Sequence, residues 1–393
     1  MERHGAKKKI SDDHIPLDLM PEILKGLPVK TLARFLSLSK EYTSIIRNRD
    51  FMKSYLIKSS NRPQSLIFTF KDTKLRPWKH FFFSVSQPQN RGESSSSVAV
   101  ATYHMNCDSL PYTTYSASVH GLICHGPPSH LMVYNPSTRR SITLPKIDSD
   151  RLDMHHFLGY DPISGDYKVL CMVKGLPLVT GDSSGQEIWV LTMGKENSWR
   201  MIEDCPPHFL DSRYSPEICI NGILYYGAFL DFDKIHAVMI SFDVRSEKFA
   251  LIKLPDFPEC VSPLMRKLTS YERKFAVSFY GNSDCRIDLW VLEDAVKHEW
   301  SKKSYVLPPL DGETYHHFYP FCATDGGEFV LARSFRQRGK PFYVLYYDPK
   351  KNTVRRVYLE GIFTELKDPL WDKDSYHCTF SIFPGQIDNL MFL

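Results

Sequence analysis

Met132–Pro145 (MVYNPSTRRSITLP), Ile240–Pro255 (ISFDVRSEKFALIKLP) and Leu345–Leu359 (LYYDPKKNTVRRVYL) share one design: an apolar strand, a polar turn and a second strand. The residues that open the turn, Asn135, Asp243 and Asp348, lie 108 and 105 residues apart. Asn and Asp suit that place because their side chains can bond the backbone two residues further on. A second element fits between these copies. Trp189-Val190-Leu191 precedes Trp199 as Trp290-Val291-Leu292 precedes Trp300, with 101 residues between copies. A third is a glycine before an apolar strand, in His120-Gly121-Leu122-Ile123, Asn221-Gly222-Ile223-Leu224 and Gly326-Gly327-Glu328-Phe329. A unit of roughly 100 residues with about eight strands is too long for one propeller blade and suits two blades of the kelch-type period. Stacked four-stranded blades bury their apolar faces against one another and leave few open edges. The expected architecture is a five- or six-bladed kelch-like β-propeller, with the recurrent tryptophans packed between blades. A β-sandwich is the structural alternative.

Outward from the repeats, strand-like runs bounded by turn residues continue from residue 60 onward. They include Leu66–Phe70, Phe81–Val85, Tyr167–Val173, Ile218–Tyr226, Phe275–Tyr280 and Phe329–Ala332. Arg91–Ser97, RGESSSS, reads as an exposed flexible loop. Before residue 60 the period is helical instead. Leu19, Ile23 and Leu27 recur every four residues beside Leu24, with Asp18 placed to cap the first turn and Gly26 and Pro28 to end the helix. A second helix carries Val29, Leu32, Phe35 and Leu36. A third starts from the N-cap Ser39, and a fourth from Asp50 with Phe51, Tyr55 and Leu56. Four short helices make a small core on their own. The chain therefore divides into a basic tail over 1–12, a helical module over 13–58, and a β domain over 62–393 whose repeat signal is best over 118–360: an α+β multidomain protein.

The string IPLDLMPEILKGLPVKTLARFLSLSKEYTSIIRNRDFMKSYL, from Ile15, resembles the F-box motif along its whole length. The resemblance rests on Pro16, Asp18-Leu19, Glu22-Ile23-Leu24, Leu27-Pro28-Val29-Lys30, Leu32, Arg34-Phe35, Ser39-Lys40 and Ile45-Ile46. Ile15 stands where the family has Leu, and Tyr42 where it has Trp. The strings SVHGLICHG, YNPSTRRSITLP, FLGYDPISGDYKVLCM, EIWVLTMGKENSWR, CINGILYYGA, ISFDVRSEKFALIKLP and IDLWVLEDAVKHEWSKK resemble the F-box-associated domain of large plant families. The resemblance implies that Pro16, Leu19, Ile23, Leu24, Leu27, Leu32 and Tyr42 contact a Skp-family adaptor or form the core behind that surface. Through the adaptor the chain would reach a cullin and a RING subunit, and the β domain would capture a target protein for ubiquitylation.

Composition narrows the alternatives. The 393 residues carry a net charge of +4, but residues 1–60 hold 12 Lys/Arg against 7 Asp/Glu, leaving 37 against 38 in the rest. The β domain thus carries no overall basic footprint for nucleic acid, which leaves room only for a local patch. Nine cysteines, none in a C-x-x-C pair, form neither a disulfide framework nor a zinc spacing and read as reduced thiols. The start MERHGAKKKI lacks a secretory apolar stretch, and Lys7-Lys8-Lys9 reads as solvated. No run of about 18 apolar residues suits a membrane span, and the expected location is cytoplasmic, nuclear or both. No phosphate-binding, nucleophile-elbow or zincin motif occurs. His155-His156 and His316-His317 are adjacent pairs that suit shared metal ligation poorly and read as loop or pore-rim residues. Asp161 and Asp166 flank a turn and serve it without acid–base chemistry. No catalytic residue, metal or cofactor is expected. The competing function is a propeller with carbohydrate-binding or hydrolytic activity whose F-box regulates its abundance.

Overall fold

Helical periodicity gives way to strands at Asn61, the C-cap of the fourth helix. The helices are α1 (Met20–Leu24), α2 (Val29–Phe35), α3 (Lys40–Ile46) and α4 (Arg49–Ser60). A computed structural model describes residues 16, 18–72, 77–87, 96–109, 114–127, 130–147, 154–173, 187–196, 198–210, 217–231, 236–257, 267–281, 285–310, 314–315, 318–333, 341–362 and 378–392. Ile15, Lys7-Lys8-Lys9, residues 91–95 and His316-His317 lie outside them.

Capping agrees with the sequence at α3, where the Ser39 hydroxyl accepts from the Tyr42 N–H at 3.2 Å. It differs at two other helices. No side chain caps α1, whose N-cap is Leu19, so Asp18 does not fill that role. Asn48, not Asp50, caps α4, its Oδ1 accepting from the N–H groups of Asp50 and Phe51 at 2.8 and 3.1 Å. Asn48 sits in extended backbone before the helix, as a cap must, whereas Asp50 is already inside the first turn.

The strands are β1 (Ser65–Asp72), β2 (Trp78–Ser86), β3 (Ser96–Ser109), β4 (Thr114–Tyr115), β5 (Ile123–Gly126), β6 (Met132–Asn135), β7 (Arg140–Thr143), β8 (Met154–Asp161), β9 (Asp166–Val173), β10 (Glu187–Thr192), β11 (Arg200–Met201) and β12 (Glu217–Ile220). They continue with β13 (Ile223–Phe229), β14 (Ala237–Asp243), β15 (Phe249–Ile252), β16 (Lys267–Tyr271), β17 (Lys274–Gly281), β18 (Arg286–Asp294), β19 (Glu299–Val306), β20 (Phe318–Ala323), β21 (Phe329–Arg333), β22 (Tyr343–Asp348), β23 (Thr353–Glu360) and β24 (Cys378–Gln386). The run Ile218–Tyr226 is thus two strands, β12 and β13, joined through Asn221-Gly222, both at positive φ. Ser96 and Ser97 open β3 instead of ending a loop.

Four sheets are consecutive four-stranded antiparallel meanders: β4–β7, β8–β11, β12–β15 and β16–β19. The fifth has eight strands in the order β20-β21-β22-β23-β3-β2-β1-β24 and divides at its parallel pair, β23 with β3, into two antiparallel groups of four. In the second group β24 supplies the strand that completes β1–β3. The first strands of successive groups pack side by side: β4 on β8, β8 on β12, β12 on β16, β16 on β20, and β20 on β24. The β-propeller-like domain expected from the repeats is therefore present.

The repeat residues do the work their spacing suggests. The Oδ1 atoms of Asn135, Asp243 and Asp348 each accept from the backbone N–H two residues on, at 2.9 Å in all three turns. The Trp199 indole donates to the Pro145 carbonyl at 2.7 Å, and that of Trp300 to the Lys253 carbonyl at 3.0 Å. Each tryptophan ties the fourth strand of one sheet to the exit of the sheet before it.

The helical module and the β domain exchange core residues. Leu390 is buried in the cluster of Leu24, Val29, Leu32, Ile46, Phe51 and Tyr55, while Leu56 of α4 joins the core between β4–β7 and β8–β11. Asn389 fixes the strand-to-module crossing. Its Nδ2 donates to the His120 carbonyl at 2.8 Å and the Tyr167 hydroxyl at 2.7 Å, and its own carbonyl accepts from Asn135 at 3.1 Å. Truncating a buried leucine typically costs ~2–5 kcal/mol. Leu390→Ala is therefore expected to lower the urea midpoint of helix loss in the full chain. An unchanged midpoint would mean that the module closes its core without Leu390.

Candidate functional site

Burial divides the seven F-box positions into three sets. Leu24 and Leu32 are core, 1% and 0% exposed. Leu27 and Tyr42 are half-buried, and Tyr42 packs edge-on against Phe35 with ring centroids 5.0 Å apart. Pro16 is exposed, and Leu19 and Ile23 are 51% and 46% exposed. The Ile23 N–H donates to the Leu19 carbonyl at 3.2 Å, so the two side chains lie one helical turn apart on one face. Leu38, in the turn between α2 and α3, is 66% exposed and was not singled out by the sequence pattern. Large apolar side chains left in water on a module whose core is already filled mark a surface suited to a partner.

The module is held against the β domain by α4. The Arg49 guanidinium donates to the Ser164 carbonyl at 3.1 Å and pairs with Asp166, and the Lys53 ammonium donates to the Ile163 carbonyl. Arg62 donates to the carbonyls of Lys25 and Gly26 at 3.0 and 3.3 Å, and Tyr55 to that of Leu27 at 3.0 Å. Residues 162–165 form the β8–β9 turn, where the Asp161 side chain accepts from the Ile163 N–H at 2.8 Å. Asp161 is a turn residue, as the sequence indicates. Asp166 instead joins module to sheet, since Lys195 also pairs with it at 2.6 Å. Arg49 and Lys53, four apart on α4, could have signalled this basic docking face.

In an antiparallel meander the first and third turns lie at one end of the sheet, and the second turn and the exit at the other. The β8–β9 turn gripped by α4 is a first turn, and so is the β20–β21 connection, where Asp325 pairs with Gln64. The repeat turns at Asn135, Asp243 and Asp348 are third turns. The module thus occupies the end of the β domain that carries the tight turns. The longer connections, such as those leaving β9, β11 and β15, depart from the opposite end. The loop Leu176–Gly185 and the part of His208–Pro216 beyond Leu210 lie outside the described residues.

Chemistry is sparse. Among the described residues no group of three or more His, Cys, Asp or Glu side chains could hold a metal ion. His155 and His156 lie on β8 and are buried, not at a rim. Burial pushes His156 down to about 3, and its Nε2 lies 3.3 Å from the Cys124 carbonyl. Cys107, Cys124, Cys171, Cys205, Cys219, Cys285 and Cys322 are free thiols. No helix among the described residues is long and apolar enough to cross a membrane.

Fold and seam together define a β-propeller protein that carries a helical module on its tight-turn end. Residues 65–387 match the F-box associated beta propeller domain family. The F-box protein At2g21930 of Arabidopsis thaliana is 57% identical, with 100% of each chain covered. The putative F-box protein At4g38870 of the same organism is 42% identical over 99% of this chain and 90% of its own. F-box protein DOR, also from Arabidopsis thaliana, is 38% identical over 88% of each. The chain belongs to the F-box proteins with an F-box-associated β-propeller domain.

The pairing at Asp166 makes the seam sensitive to acid. Burial opposes ionisation of this carboxyl, but hydrogen bonds from Lys195 and Ser164 and the charge of Arg49 outweigh it and hold it below the usual carboxylate range. A carboxylate depressed in the folded state stabilises fully above its unfolded pKa of about 3.9, and that stability is lost as pH falls through the lower folded value. Arg49 is more than half exposed, so the pair contributes under about 1 kcal/mol. Asp166→Asn is expected to raise amide exchange across residues 49–60 at neutral pH while leaving β16–β19 protected. Equal exchange in both proteins would assign the docking to apolar contacts alone.

Proposed function

We propose that the chain is the substrate-recognition subunit of an SCF-type ubiquitin ligase. Its helical module docks a Skp-family adaptor, and through it a cullin and a RING subunit, while the β domain captures the target protein. The observation that carries this reading is the partition of the F-box residues. Leu24 and Leu32 close the module's own core with Leu390, so exposed Leu19, Ile23 and Leu38 remain without an intramolecular use. Pro16, Leu19 and Ile23 are assigned to adaptor contact, Leu24 and Leu32 to the core behind it, and Leu27 and Tyr42 to the boundary.

The β domain is read as six blades, the sixth assembled from β24 and β1–β3. With the module on the tight-turn end, the opposite end is left for the target. Such a receptor performs no chemistry of its own and acts by raising the effective concentration of target near the ubiquitin-loaded enzyme.

Co-expression with a Skp adaptor tests the assignment. The parent chain is expected to co-purify with the adaptor, and a Leu19→Asp, Ile23→Asp double variant to lose it while melting at the parent temperature. Leu24→Asp, which puts a charge into the core, is expected to unfold the module and serves as the contrast. Retention of the adaptor by the folded double variant would overturn the reading.

A further inference from the structure

Lys168, Lys195, Lys274, Lys302 and Lys303 of the β domain each face a carboxylate. Lys267, the first residue of β16, does not. Its side chain is half-buried, yet its ammonium has no hydrogen-bond or ion-pair partner among the described residues. It is not sealed in either, for Nζ is not among the buried polar atoms left without a partner, such as the Trp290 indole N–H. Burial alone holds this group below the ordinary lysine range, with no carboxylate near enough to raise it. A cation drawn part-way out of water without a counter-charge is costly, and an anion that reaches it recovers that cost.

A bulge places an aromatic ring beneath this ammonium. In the ladder of β20 with β21, Pro320 pairs with Leu331 and Cys322 with Val330, so Phe321 is an extra residue with none opposite. Bulges of this kind re-aim a side chain. Phe321 packs against the cluster of Phe68, Phe83 and Tyr346, and its ring centroid lies 5.5 Å from Lys267 Nζ. Two residues along β16, the Thr269 hydroxyl accepts from the Ala323 N–H at 2.8 Å, which locks the two strands where lysine and ring meet. β16 follows the long connection that leaves β15, so Lys267 stands at the end of the β domain away from the helical module.

The chemistry of the pair selects the ligand. An uncompensated ammonium above an aromatic face suits a carboxylate on an apolar stem, the stem lying on the ring and the oxygens meeting Nζ. Phosphate recognition usually draws on a cluster of arginines, whereas Lys267 supplies one point charge. We propose that Lys267 and Phe321 form a subsite for an acidic side chain of the captured target. This deepens the ligase reading and rests on it for the occupant being a target protein.

The test uses the full chain in complex with a Skp adaptor, or the chain alone should the adaptor not bind. Random linear peptides displayed on yeast are selected on it, and the retained sequences are expected to carry Asp or Glu at a fixed place. The strongest binder is then synthesised as its terminal amide with Glu, Gln or phosphoserine at that place. Calorimetry is expected to find the Gln form at least about tenfold weaker than the Glu form, the scale of a charge-assisted hydrogen bond, and the phosphoserine form no tighter. Lys267→Met should bind the Glu and Gln forms alike, while Lys267→Arg should keep the preference. Lys267→Gln serves the same comparison should the Met variant misfold. All three variants should retain the adaptor, whereas Leu19→Asp, Ile23→Asp should lose the adaptor and keep the peptide, so the two readings fail separately. A selection without acidic preference, including one that enriches nothing, overturns the proposal. So does an acidic preference that survives Lys267→Met, or tighter binding of the phosphoserine form.

Discussion

The pairing of β24 with β1 is the constraint on which the rest of the molecule depends. It joins Cys378–Gln386 to Ser65–Asp72 through a ladder that runs from Asp72 opposite Cys378 to Ser65 opposite Gln386. With it, the group β1–β3 gains a first strand that packs beside β20, and the row of first strands continues past β20. At the end of the ladder, Ser118 donates to the Gln386 side chain at 2.7 Å, which ties the same strand to the group that begins with β4. The pairing covers the β1 edge, which would otherwise stand open to another chain. Its formation brings together segments almost a whole chain length apart, a costly loop closure that only a large buried interface offsets. Phe68, Phe70, Phe83, Ile382 and Tyr346, all buried in one cluster, supply that interface.

The same segment then decides where the helical module sits. Gly121 leaves no room for a side chain: a Cβ there would stand 2.5 Å from the Ile387 carbonyl oxygen, and φ at this residue is +86°. The close approach lets Asn389 reach His120 and Tyr167, and so delivers Leu390 to the helices. The module is therefore completed by the β domain and is not an independent bead on a linker. Because α4 returns the exchange through Leu56, neither part can move away without opening the core of the other.

What the sequence made legible was local. Asn135, Asp243 and Asp348 cap turns through their own side chains, so residue type and spacing suffice to place them. The tryptophans at 101-residue spacing mark equivalent places because each needs the same carbonyl of a preceding sheet. The sixth strand group was not legible, since its strands come from opposite ends of the described chain and share no repeat. The choice between Asn48 and Asp50 as cap turned on one residue of backbone conformation. In the F-box string, periodicity identified the apolar positions but not which way each faced. Leu24 and Ile23 are adjacent, yet one is sealed by Leu390 and its helical neighbours while the other meets water. No feature near residue 20 announces a leucine at 390. Leu38 escaped notice for the converse reason, because an isolated leucine in a turn has no period.

Position is the means by which a non-catalytic receptor can act, and the seam bears directly on position. The link from α4 to β1 is four residues, Asn61 to Gln64, and each end is held. Arg62 bonds the carbonyls of Lys25 and Gly26, Pro63 restricts its own φ, and Gln64 pairs with Asp325. Domain motion concentrates in a few residues that can absorb a change in backbone angle, and here those residues are already bonded to both partners. A swing of the module would break the Arg62 bonds, the Asp166 pairing and the Leu390 packing together. The two polar links are modest alone, but they are lost together with the Leu390 packing, so the separation between the exposed face at Leu19 and Ile23 and the far end of the β domain is a property of the fold rather than of a linker. On the ligase reading, the reach from adaptor to target is then set by the thickness of the β domain, and a target is selected by where it presents its lysines as well as by what it contacts.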